Sequence, residues 1–157
     1  MTSAVEFILN GESVAVARPE SFPLLFALRG DLGLPAARFG CGQEQCGACM
    51  VQVDGRPRPS CTLPLADVAN ASVLTPEGLA RDAIGAALQE AFREEGAGQC
   101  GYCLNGILIS AHALLRAEPA PSRAALLDAL APHLCRCGAH GSILRAVERA
   151  AARLRAL

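Results

Sequence analysis

The N-terminal part of the chain alternates apolar and polar positions with the two-residue period of β-strands. Residues 5–9 (VEFIL) show this alternation, Asn10-Gly11 suits a type I′ hairpin turn, and residues 14–16 continue the pattern beyond the turn. A further alternating strand is predicted at residues 49–55 (CMVQVDG), which end in an Asp-Gly turn, and a short last strand is predicted at residues 72–74. Together these segments predict a small sheet.

A short helix interrupts this strand pattern. Ser21 is a suitable N-cap residue, and Pro23 fits the first helical turn. The leucines of segment 24–28 then fall on one helical face, and Gly30 is a natural stop. The chain up to about residue 76 is therefore expected to form a small α+β unit with a half-wrapped sheet.

From about residue 79 the apolar period lengthens to that of α-helices. A break at residues 118–122 (EPAPS) separates two helices, with Ser122 as an N-cap. The four apolar stripes are Ala87, Leu88, Ala91 and Phe92; Leu104, Ile107, Leu108, Ala111, Leu114 and Leu115; Leu126, Leu127 and Leu130; and Ile143, Val147, Ala150 and Leu154. The predicted fold class is α+β, with a sheet-containing domain at residues 1–76 and a four-helix domain at residues 77–157.

The composition indicates a folded chain that charge does not direct to one class of partner. Of the 157 residues, 52% are apolar and 18% are charged, and the formal net charge is −1. These values exclude an extended disordered chain and give no general attraction to nucleic acid or to anionic membranes. The length fits one domain or two small ones.

Compartment and cysteine usage point to metal binding. No run approaches the roughly 18 apolar residues of a membrane-spanning helix, so membrane insertion is not expected. The start, MTSAVEFILNGE, has no basic n-region and no long apolar h-region. We therefore expect a cytoplasmic location, with export alongside a signal-bearing partner as the alternative. A reducing cytoplasm disfavours disulfides, so the eight cysteines indicate metal sites.

Four cysteines form a C-x4-C-x2-C group followed by a more distant one: Cys41, Cys46, Cys49 and Cys61. This is the spacing of plant-type [2Fe–2S] sites. Four thiolates must converge on two irons while backbone N–H groups approach the cluster. Gly40, Gly42 and Gly47 keep side chains away and permit positive φ. A zinc site or unligated thiols are the alternatives, although this loop is an awkward tetrahedral zinc knuckle.

The other four cysteines form two close pairs, each of which precedes a predicted helix: Cys100 and Cys103, then Cys135 and Cys137. Helix N-termini direct unpaired N–H groups and positive dipole ends at an anionic cluster. Alone, this set also fits a four-cysteine zinc site, whereas Rieske ligation is excluded because the histidines supply no C-x-H pair. Beside a plant-type loop, a second iron–sulfur cluster is the stronger interpretation.

Taken in order, GCGQEQCGACMV, GQCGYC, LCRCG and ILRAV resemble the motifs of the two-cluster iron–sulfur subunit of the molybdenum hydroxylases, the xanthine dehydrogenase and aldehyde oxidoreductase family. The resemblance runs over essentially the whole chain and matches all eight ligand positions. The segment CRCGAHGSILRAVERAA looks most similar to the small subunits of nicotinate-type and isoquinoline-type dehydrogenases. The resemblance implies a plant-type, β-grasp-like ferredoxin domain followed by a four-helix [2Fe–2S] domain.

The resemblance also implies ligands and contacts for each cluster. The cluster distal to molybdenum would be held by Cys41, Cys46, Cys49 and Cys61, and the proximal cluster by Cys100, Cys103, Cys135 and Cys137. Gln99 would hydrogen-bond the pterin of a molybdenum cofactor in the partner subunit. Cys137 would lie beside that pterin, at the point where electrons arrive.

As a whole, the resemblance implies an electron-transfer subunit without catalytic residues of its own. A large molybdopterin-binding subunit would hydroxylate an N-heteroaromatic compound such as nicotinate, with aldehyde or purine substrates as the alternative. Electrons would leave through the two clusters to a flavin, cytochrome or quinone acceptor. The competing classes are a freestanding ferredoxin, which would not need Gln99 beside its second site, and a zinc-stabilised adaptor, which would be colourless.

A few residues depart from the family pattern or invite a simpler interpretation. Glu44 stands where the family usually has glycine and is expected to point outward, and Asn105 stands where proline is frequent. Tyr102 is expected to shield the second cluster from solvent. The row Arg145, Arg149 and Arg153 on the last helix is expected to be solvated, with docking of an acidic partner as the alternative.

Overall fold

The computed structural model describes residues 4–156, so the outermost ends of the two predicted domains lie outside the described part. The described strands are β1 (Val5–Leu9), β2 (Glu12–Val16), β3 (Met50–Val53), β4 (Arg56–Pro59) and β5 (Ser72–Leu74). They form one sheet in the order β2-β1-β5-β3-β4. Strand β5 is parallel to β1 and antiparallel to β3, so it joins the two hairpins into a mixed sheet.

Both hairpin turns have the backbone conformation that their sequence predicts. Asn10 and Gly11 have φ of 51° and 89°, and Asp54 and Gly55 have φ of 49° and 77°. Two consecutive positive-φ residues are the mark of a type I′ turn, whose twist matches that of the flanking strands. The predicted hairpin turn at Asn10-Gly11 is confirmed, and the Asp-Gly turn leads directly into β4.

The predicted helix of the first half is shorter and differently built. Helix α1 (Leu24–Phe26) passes directly into a π-helical turn at Ala27–Asp31. Gly30 therefore does not end the helix, which continues to Asp31. The Asp31 carboxylate accepts a hydrogen bond from Arg18 at 2.8 Å, which holds the end of the turn against the chain that follows β2.

The predicted cap at Ser21 is wrong. Pro23 occupies the N-cap position, and no side chain caps the helix. The N–H groups of Leu24 and Leu25 instead donate to the carbonyls of Leu63 and Ser60, at 2.8 and 3.0 Å. Because neighbouring backbone satisfies these donors, the helix needs no capping side chain.

Strand β3 is buried on both faces, and its predicted alternation of exposed and buried residues is wrong. All four of its residues are buried, because one face meets the sheet core while the helices of the second half cover the other. Gln52 is therefore 2% exposed. Its amide donates to the carbonyl of Ile109 at 3.0 Å and lies 2.9 Å from Nδ1 of His112, so the buried amide is satisfied.

The second half of the described chain is helical, as predicted. Its helices are α2 (Ala83–Glu94), α3 (Leu104–Ala117), α4 (Arg123–Leu130) and α5 (His140–Arg155). Short 3-10 turns at Leu65–Val68 and Pro76–Arg81 precede them. The predicted cap is confirmed, since the Ser122 hydroxyl accepts from the N–H of Ala125 at 3.1 Å. Leu127 departs from its predicted stripe, because α4 packs through Leu126 and leaves Leu127 49% exposed.

Two apolar cores accompany this α+β architecture. One fills the space between the sheet and α1, and the other lies among the helices and includes Met50 of β3. The predicted domain boundary at residue 76 falls at the start of the turn Pro76–Arg81, and the division itself stays a prediction. Within residues 4–156, no helix combines the length and the apolar character needed to cross a bilayer.

The arginine row of α5 is engaged within the chain. Arg145 and Arg149 contact the carboxylate of Glu95 at 3.1 and 2.7 Å. Arg149 and Arg153 contact Glu94 at 3.3 and 2.9 Å. The row therefore links α5 to the end of α2 while its side chains stay 61%, 50% and 36% exposed, so the expected solvated face is confirmed and docking of an acidic partner stays a prediction. Such exposed pairs orient the helices more than they stabilise them.

Helix α3 approaches the cysteine loop so closely that one position must be glycine. A Cβ atom at Gly106 would lie 2.0 Å from the carbonyl oxygen of Gly47. We expect Gly106→Ala to lower the free energy of unfolding by about 1–3 kcal/mol, measured by denaturant titration, because backbone must shift to admit the methyl group. Gly30→Ala is the control, since no atom lies within 4 Å of its Cβ position. Equal stability of the two variants would contradict this contact.

A buried histidine connects the sheet to the helices through a carboxylate. His112 is fully buried, with Nδ1 facing Gln52 and Nε2 lying 2.8 Å from Oδ2 of Asp82. The Gln52 amide donates to Nδ1, so Nε2 carries the proton and donates to Asp82. Burial alone would raise the pKa of Asp82, but bonds from the Gly85 N–H and from His112 lower it below its usual value.

We expect Asp82→Asn to lower stability at neutral pH by about 1 kcal/mol, since it removes a charge-assisted hydrogen bond from a partly exposed site while keeping a good cap residue. The lowered pKa means that the carboxylate stabilises the fold above roughly pH 4 and loses this effect as pH falls through its folded-state pKa. The difference in melting temperature between wild type and variant should be present at pH 7 and should shrink at pH 3. Asp67→Asn, at an exposed turn, is the control, and a constant difference across pH would exclude this linkage.

Candidate metal centres

The second hairpin brings the first cysteine set together. Cys49 directly precedes β3, and Cys61 follows β4 after Ser60. Because the strands pair from Met50 with Pro59, the residues just outside this pair meet at the open end of the hairpin. Both the N–H and the hydroxyl of Ser60 donate to the Cys49 carbonyl, at 3.2 and 2.6 Å. The register of the hairpin thus brings Cys49 and Cys61 together, although they are twelve residues apart in the sequence.

The first set divides into an outer and an inner pair of thiols. Cys41 and Cys46, in hydrogen-bonding reach of each other, are partly exposed. The N–H groups of Gln43 and Gln45 donate to the Cys41 sulfur at 3.4 and 3.2 Å. The Gln43 bond contributes most to lowering the pKa of Cys41 to about 7. The loop therefore directs N–H donors at the Cys41 sulfur, which favours its thiolate form.

The inner pair of the first set is buried. Cys49 and Cys61 lie within hydrogen-bonding reach of each other and are 2% and 5% exposed. Burial raises the pKa of Cys49 to about 11. Without a cation, this thiol is therefore protonated at neutral pH, and a metal must displace its proton to bind.

Glycines of this loop serve two different purposes. Gly42 and Gly47 have φ of 69° and 71°, as predicted. Gly40 does not have positive φ, but a Cβ atom there would lie 2.6 Å from the sulfur of Cys46. The prediction of positive φ at Gly40 is therefore wrong. The position needs glycine because the Cys46 sulfur approaches the backbone too closely for a side chain.

Glu44 adopts a backbone conformation that glycine prefers. Its φ is 62°, in the left-handed region that costs a side-chain-bearing residue about 1–2 kcal/mol. The side chain is exposed, as expected, and its carboxylate accepts a hydrogen bond from the hydroxyl of Thr62. Since Thr62 follows Cys61, this bond ties the tip of the loop to the fourth cysteine.

Two helix starts shape the second set. Cys103 is the N-cap residue of α3. Ala139 is the N-cap residue of α5, and its N–H donates to the sulfur of Cys135 at 3.4 Å. Gly101 and Gly138 have φ of 77° and 74° and reverse the chain beside the cysteine pairs. The arrangement follows the expectation that helix N-termini direct N–H groups at this site.

The second set repeats the outer and inner division. Cys100 lies within hydrogen-bonding reach of Cys137, and Cys103 lies within reach of Cys135. The N–H of Tyr102, followed by the Cys137 thiol, lowers the pKa of Cys100. Burial, followed by the neighbouring Cys135, raises the pKa of Cys103 to about 11. Each site therefore has one thiol that favours the thiolate and one whose burial resists it.

This pairing fits a two-iron cluster better than a single zinc ion. In residues 4–156, no group of three or more histidine, cysteine, aspartate or glutamate side chains converges on one ion position. A structural zinc ion requires four ligands around one point, whereas each iron of a [2Fe–2S] cluster takes two thiolates. Two pairs of soft donors at each site, with N–H groups directed at sulfur, match the second requirement.

The two residues expected to contact a pterin lie together. The side-chain amide nitrogen of Gln99 donates to the carbonyl of Cys137 at 3.3 Å. Gln99 is exposed and Cys137 is partly exposed, so this corner of the second site faces outward. The structure thus groups these two residues at one surface.

The segment just before the first cysteine is tied to the second set, which sequence reasoning did not find. The Asn105 amide donates to the carbonyl of Ala36 at 2.9 Å. The Tyr102 hydroxyl donates to the carbonyl of Phe39. Tyr102, which is 49% exposed, therefore joins the two cysteine segments, and its shielding of the second cluster stays a prediction.

The loops of the two sites also touch directly. The N–H of Leu134 donates to the carbonyl of Cys46 at 3.1 Å. Beside this bond, His133 is buried against Gly47, and its Nε2 lies 2.7 Å from the hydroxyl of Ser110. Burial lowers the pKa of His133 to about 4, so this ring is neutral at physiological pH. No sequence spacing signalled this contact, because it joins positions almost ninety residues apart.

Two known families match successive parts of the chain. Residues 7–77 match the family described as "2Fe-2S iron-sulfur cluster binding domain", and residues 75–148 match the family described as "[2Fe-2S] binding domain". The chain therefore carries two [2Fe–2S]-binding domains, as the cysteine spacing predicts.

Whole-chain relatives are similar along nearly their full length. The chain is 45% identical over 151 residues to a nicotinate dehydrogenase subunit of Pseudomonas putida, covering 96% of each chain. It is also 45% identical over 148 residues to the alpha subunit of isoquinoline 1-oxidoreductase from Brevundimonas diminuta, covering 94% of this chain and 97% of that one.

Solved structures share the fold. Quinoline 2-oxidoreductase from Pseudomonas putida 86 superimposes with a TM-score of 0.89 at 33% identity, covering 98% of this chain and 96% of that chain. The aldehyde oxidoreductase of Desulfovibrio desulfuricans gives a TM-score of 0.90 at 38% identity, but this chain spans 17% of its length. With both thiol sites and both matching domains in place, the chain belongs to the family of two-cluster [2Fe–2S] iron–sulfur small subunits of the molybdenum hydroxylases.

Proposed function

We propose that this chain relays electrons from the molybdenum centre of a large molybdopterin-binding subunit through two [2Fe–2S] clusters to an acceptor. The observation that supports this function most directly is the direct contact between two paired-thiol sites within one chain. The bond from Leu134 to Cys46 joins residues of the two sites at 3.1 Å. Each bound cluster supplies one-electron oxidation and reduction, and the protein holds the two sites adjacent.

The proposed ligands are the two sets of paired thiols. The distal site is formed by Cys41, Cys46, Cys49 and Cys61, and the proximal site by Cys100, Cys103, Cys135 and Cys137. Cys49, Cys61 and Cys103 are buried, which keeps water away from their sulfur atoms. The outer pair leaves each site open on one side, where electrons arrive or depart.

The proximal site faces the large subunit in this proposal. Gln99 and Cys137 lie together at the surface, with the Gln99 amide bonded to the Cys137 carbonyl at 3.3 Å. The side-chain amide of Gln99 also carries an acceptor oxygen and a second N–H with which to contact a pterin. Cys137 then provides the covalent route from that contact to the proximal site.

The distal site faces the acceptor. Gln43, Glu44 and Gln45 are exposed around the outer thiols, so a flavin or cytochrome domain can approach this loop without displacing core residues.

The proposed location of the assembled enzyme is the cytoplasm. The proposed division into domains 1–76 and 77–157 is supported by the two separate apolar cores.

The proposed substrate class is an N-heteroaromatic compound such as nicotinate. Support comes from the names of the two relatives at 45% identity, one from a nicotinate dehydrogenase and one from an isoquinoline oxidoreductase. The substrate itself would bind in the large subunit, where hydroxylation takes place.

Electron paramagnetic resonance of the purified chain tests the cluster assignment. After dithionite reduction we expect two distinguishable S = 1/2 signals that integrate to about two spins per chain, since each site binds one cluster. Cys49→Ser should alter or remove one signal, and Cys103→Ser the other, so each variant is the control for its counterpart. A colourless chain that contains zinc, or a single signal lost in both variants, would contradict the proposal.

Activity of the complex tests the substrate class. With the large subunit bound and a dye as electron acceptor, we expect kcat/KM for nicotinate or isoquinoline to exceed that for aldehydes and purines by about tenfold or more, because a polar pocket rejects compounds that leave its groups unpaired. Reversal of this order would assign the complex to an aldehyde or purine dehydrogenase while leaving the electron-transfer function intact.

A further inference from the structure

One arginine extends from the first cysteine segment to the backbone of the second site. Arg38 precedes Cys41 by three residues, yet its Nη1 donates to the carbonyl of Gly101 at 2.7 Å. Gly101 lies between Cys100 and Cys103. The guanidinium is therefore held against the loop that carries two of the proximal thiols, although its own chain segment belongs to the distal site.

Further contacts fix the position of this charge. The guanidinium carbon of Arg38 lies 5.2 Å from the centre of the Tyr102 ring, a cation–π distance. The Arg38 N–H donates to the carbonyl of Ala48 at 3.0 Å, and the Tyr102 hydroxyl holds the neighbouring carbonyl of Phe39. Anchored at backbone and side chain, the half-buried cation has little freedom to move toward solvent.

The charge of Arg38 is not neutralised by a carboxylate. Among residues 4–156, Arg38 forms no salt bridge, whereas Arg18 pairs with Asp31 at 2.8 Å.

We propose that Arg38 raises the reduction potential of the proximal cluster more than that of the distal cluster, and so makes the proximal site easier to reduce. This inference rests on the proposed electron-transfer function. Reduction adds one negative charge, and a fixed, unpaired cation beside the ligand loop stabilises that charge. The distal site gains less, because the guanidinium is directed away from its own segment toward Gly101.

Potentiometric titration of the full chain, followed by the two paramagnetic signals, tests the inference. The Cys49→Ser and Cys103→Ser variants assign the signals to their sites. At the applied potential that half-reduces the wild-type proximal cluster, we expect R38Q to lower its reduced-to-oxidised ratio by about tenfold, because the variant loses one nearby positive charge in a partly buried position. The distal ratio should stay close to that of the wild type.

Two further variants separate charge from structure. R38K keeps the positive charge without the planar fork, and its ratio should lie closer to wild type than to R38Q. R29Q is the matched control, because Arg29 donates to the carbonyls of Pro35 and Ala37 at 2.6 and 2.8 Å in the same segment, with no bond to the proximal loop. R29Q should leave both ratios unchanged. If R38Q does not retain its clusters, R38M, compared with R38K, gives the same test.

The inference is overturned if R38Q has the wild-type ratio, if R38K falls as far as R38Q, or if both sites shift equally. These results differ from failure of the proposed function. Two signals in the wild-type chain that do not respond to Arg38 would remove the inference alone, whereas wild-type chain without either signal would remove both.

Discussion

The architecture depends on the close approach of helix α3 to the plant-type cysteine loop. The carbonyl of Gly47 lies where a Cβ of residue 106 would be, so the two backbones meet without an intervening side chain. This contact places the start of α3, with Cys103 as its N-cap, beside the loop of the first site. The adjacent bond from Leu134 to Cys46 closes the same junction from the other side. Because backbone atoms form this junction, the spacing of the sites is set more rigidly than side chains alone would allow.

Both metal sites compensate the negative charge of a buried cluster in the same way. A cluster with four thiolates is anionic, and burial of anions is costly unless donors compensate them. In each site burial raises the pKa of one thiol, Cys49 or Cys103, which therefore resists ionisation. Backbone N–H groups lower the pKa of another thiol, Cys41 or Cys100, which therefore ionises more readily. In each site one thiol therefore loses its proton readily, whereas another loses it only when a metal displaces the proton.

Contacts between α5 and the end of α2 compensate the charge of the arginine-rich end of the chain. The row on α5 meets Glu94, the last residue of α2, and Glu95, which follows it. Arg38 differs, because its guanidinium donates to the Gly101 carbonyl and lies over the Tyr102 ring, and neither contact neutralises its charge. Location relative to carboxylates, rather than residue type, decides which arginines keep an uncompensated charge near the cysteine loops.

Much of the fold and the cysteine chemistry follows from local sequence. Turn pairs such as Asn10-Gly11 act over two residues, and the helical stripes repeat within a few turns. The C-x4-C-x2-C spacing places three thiols on one loop. Each of these features can therefore be predicted from a short segment of the sequence. Local rules failed at Ser21 and at β3, because distant segments supplied the hydrogen bonds and the burial that local residues had been expected to provide. The bonds from Arg38 to Gly101 and from Leu134 to Cys46 likewise join positions 63 and 88 residues apart. The sequence by itself determined the elements and the thiol sets, and only the tertiary structure decided how the sites face each other, because that geometry arises from contacts that no periodicity or spacing encodes.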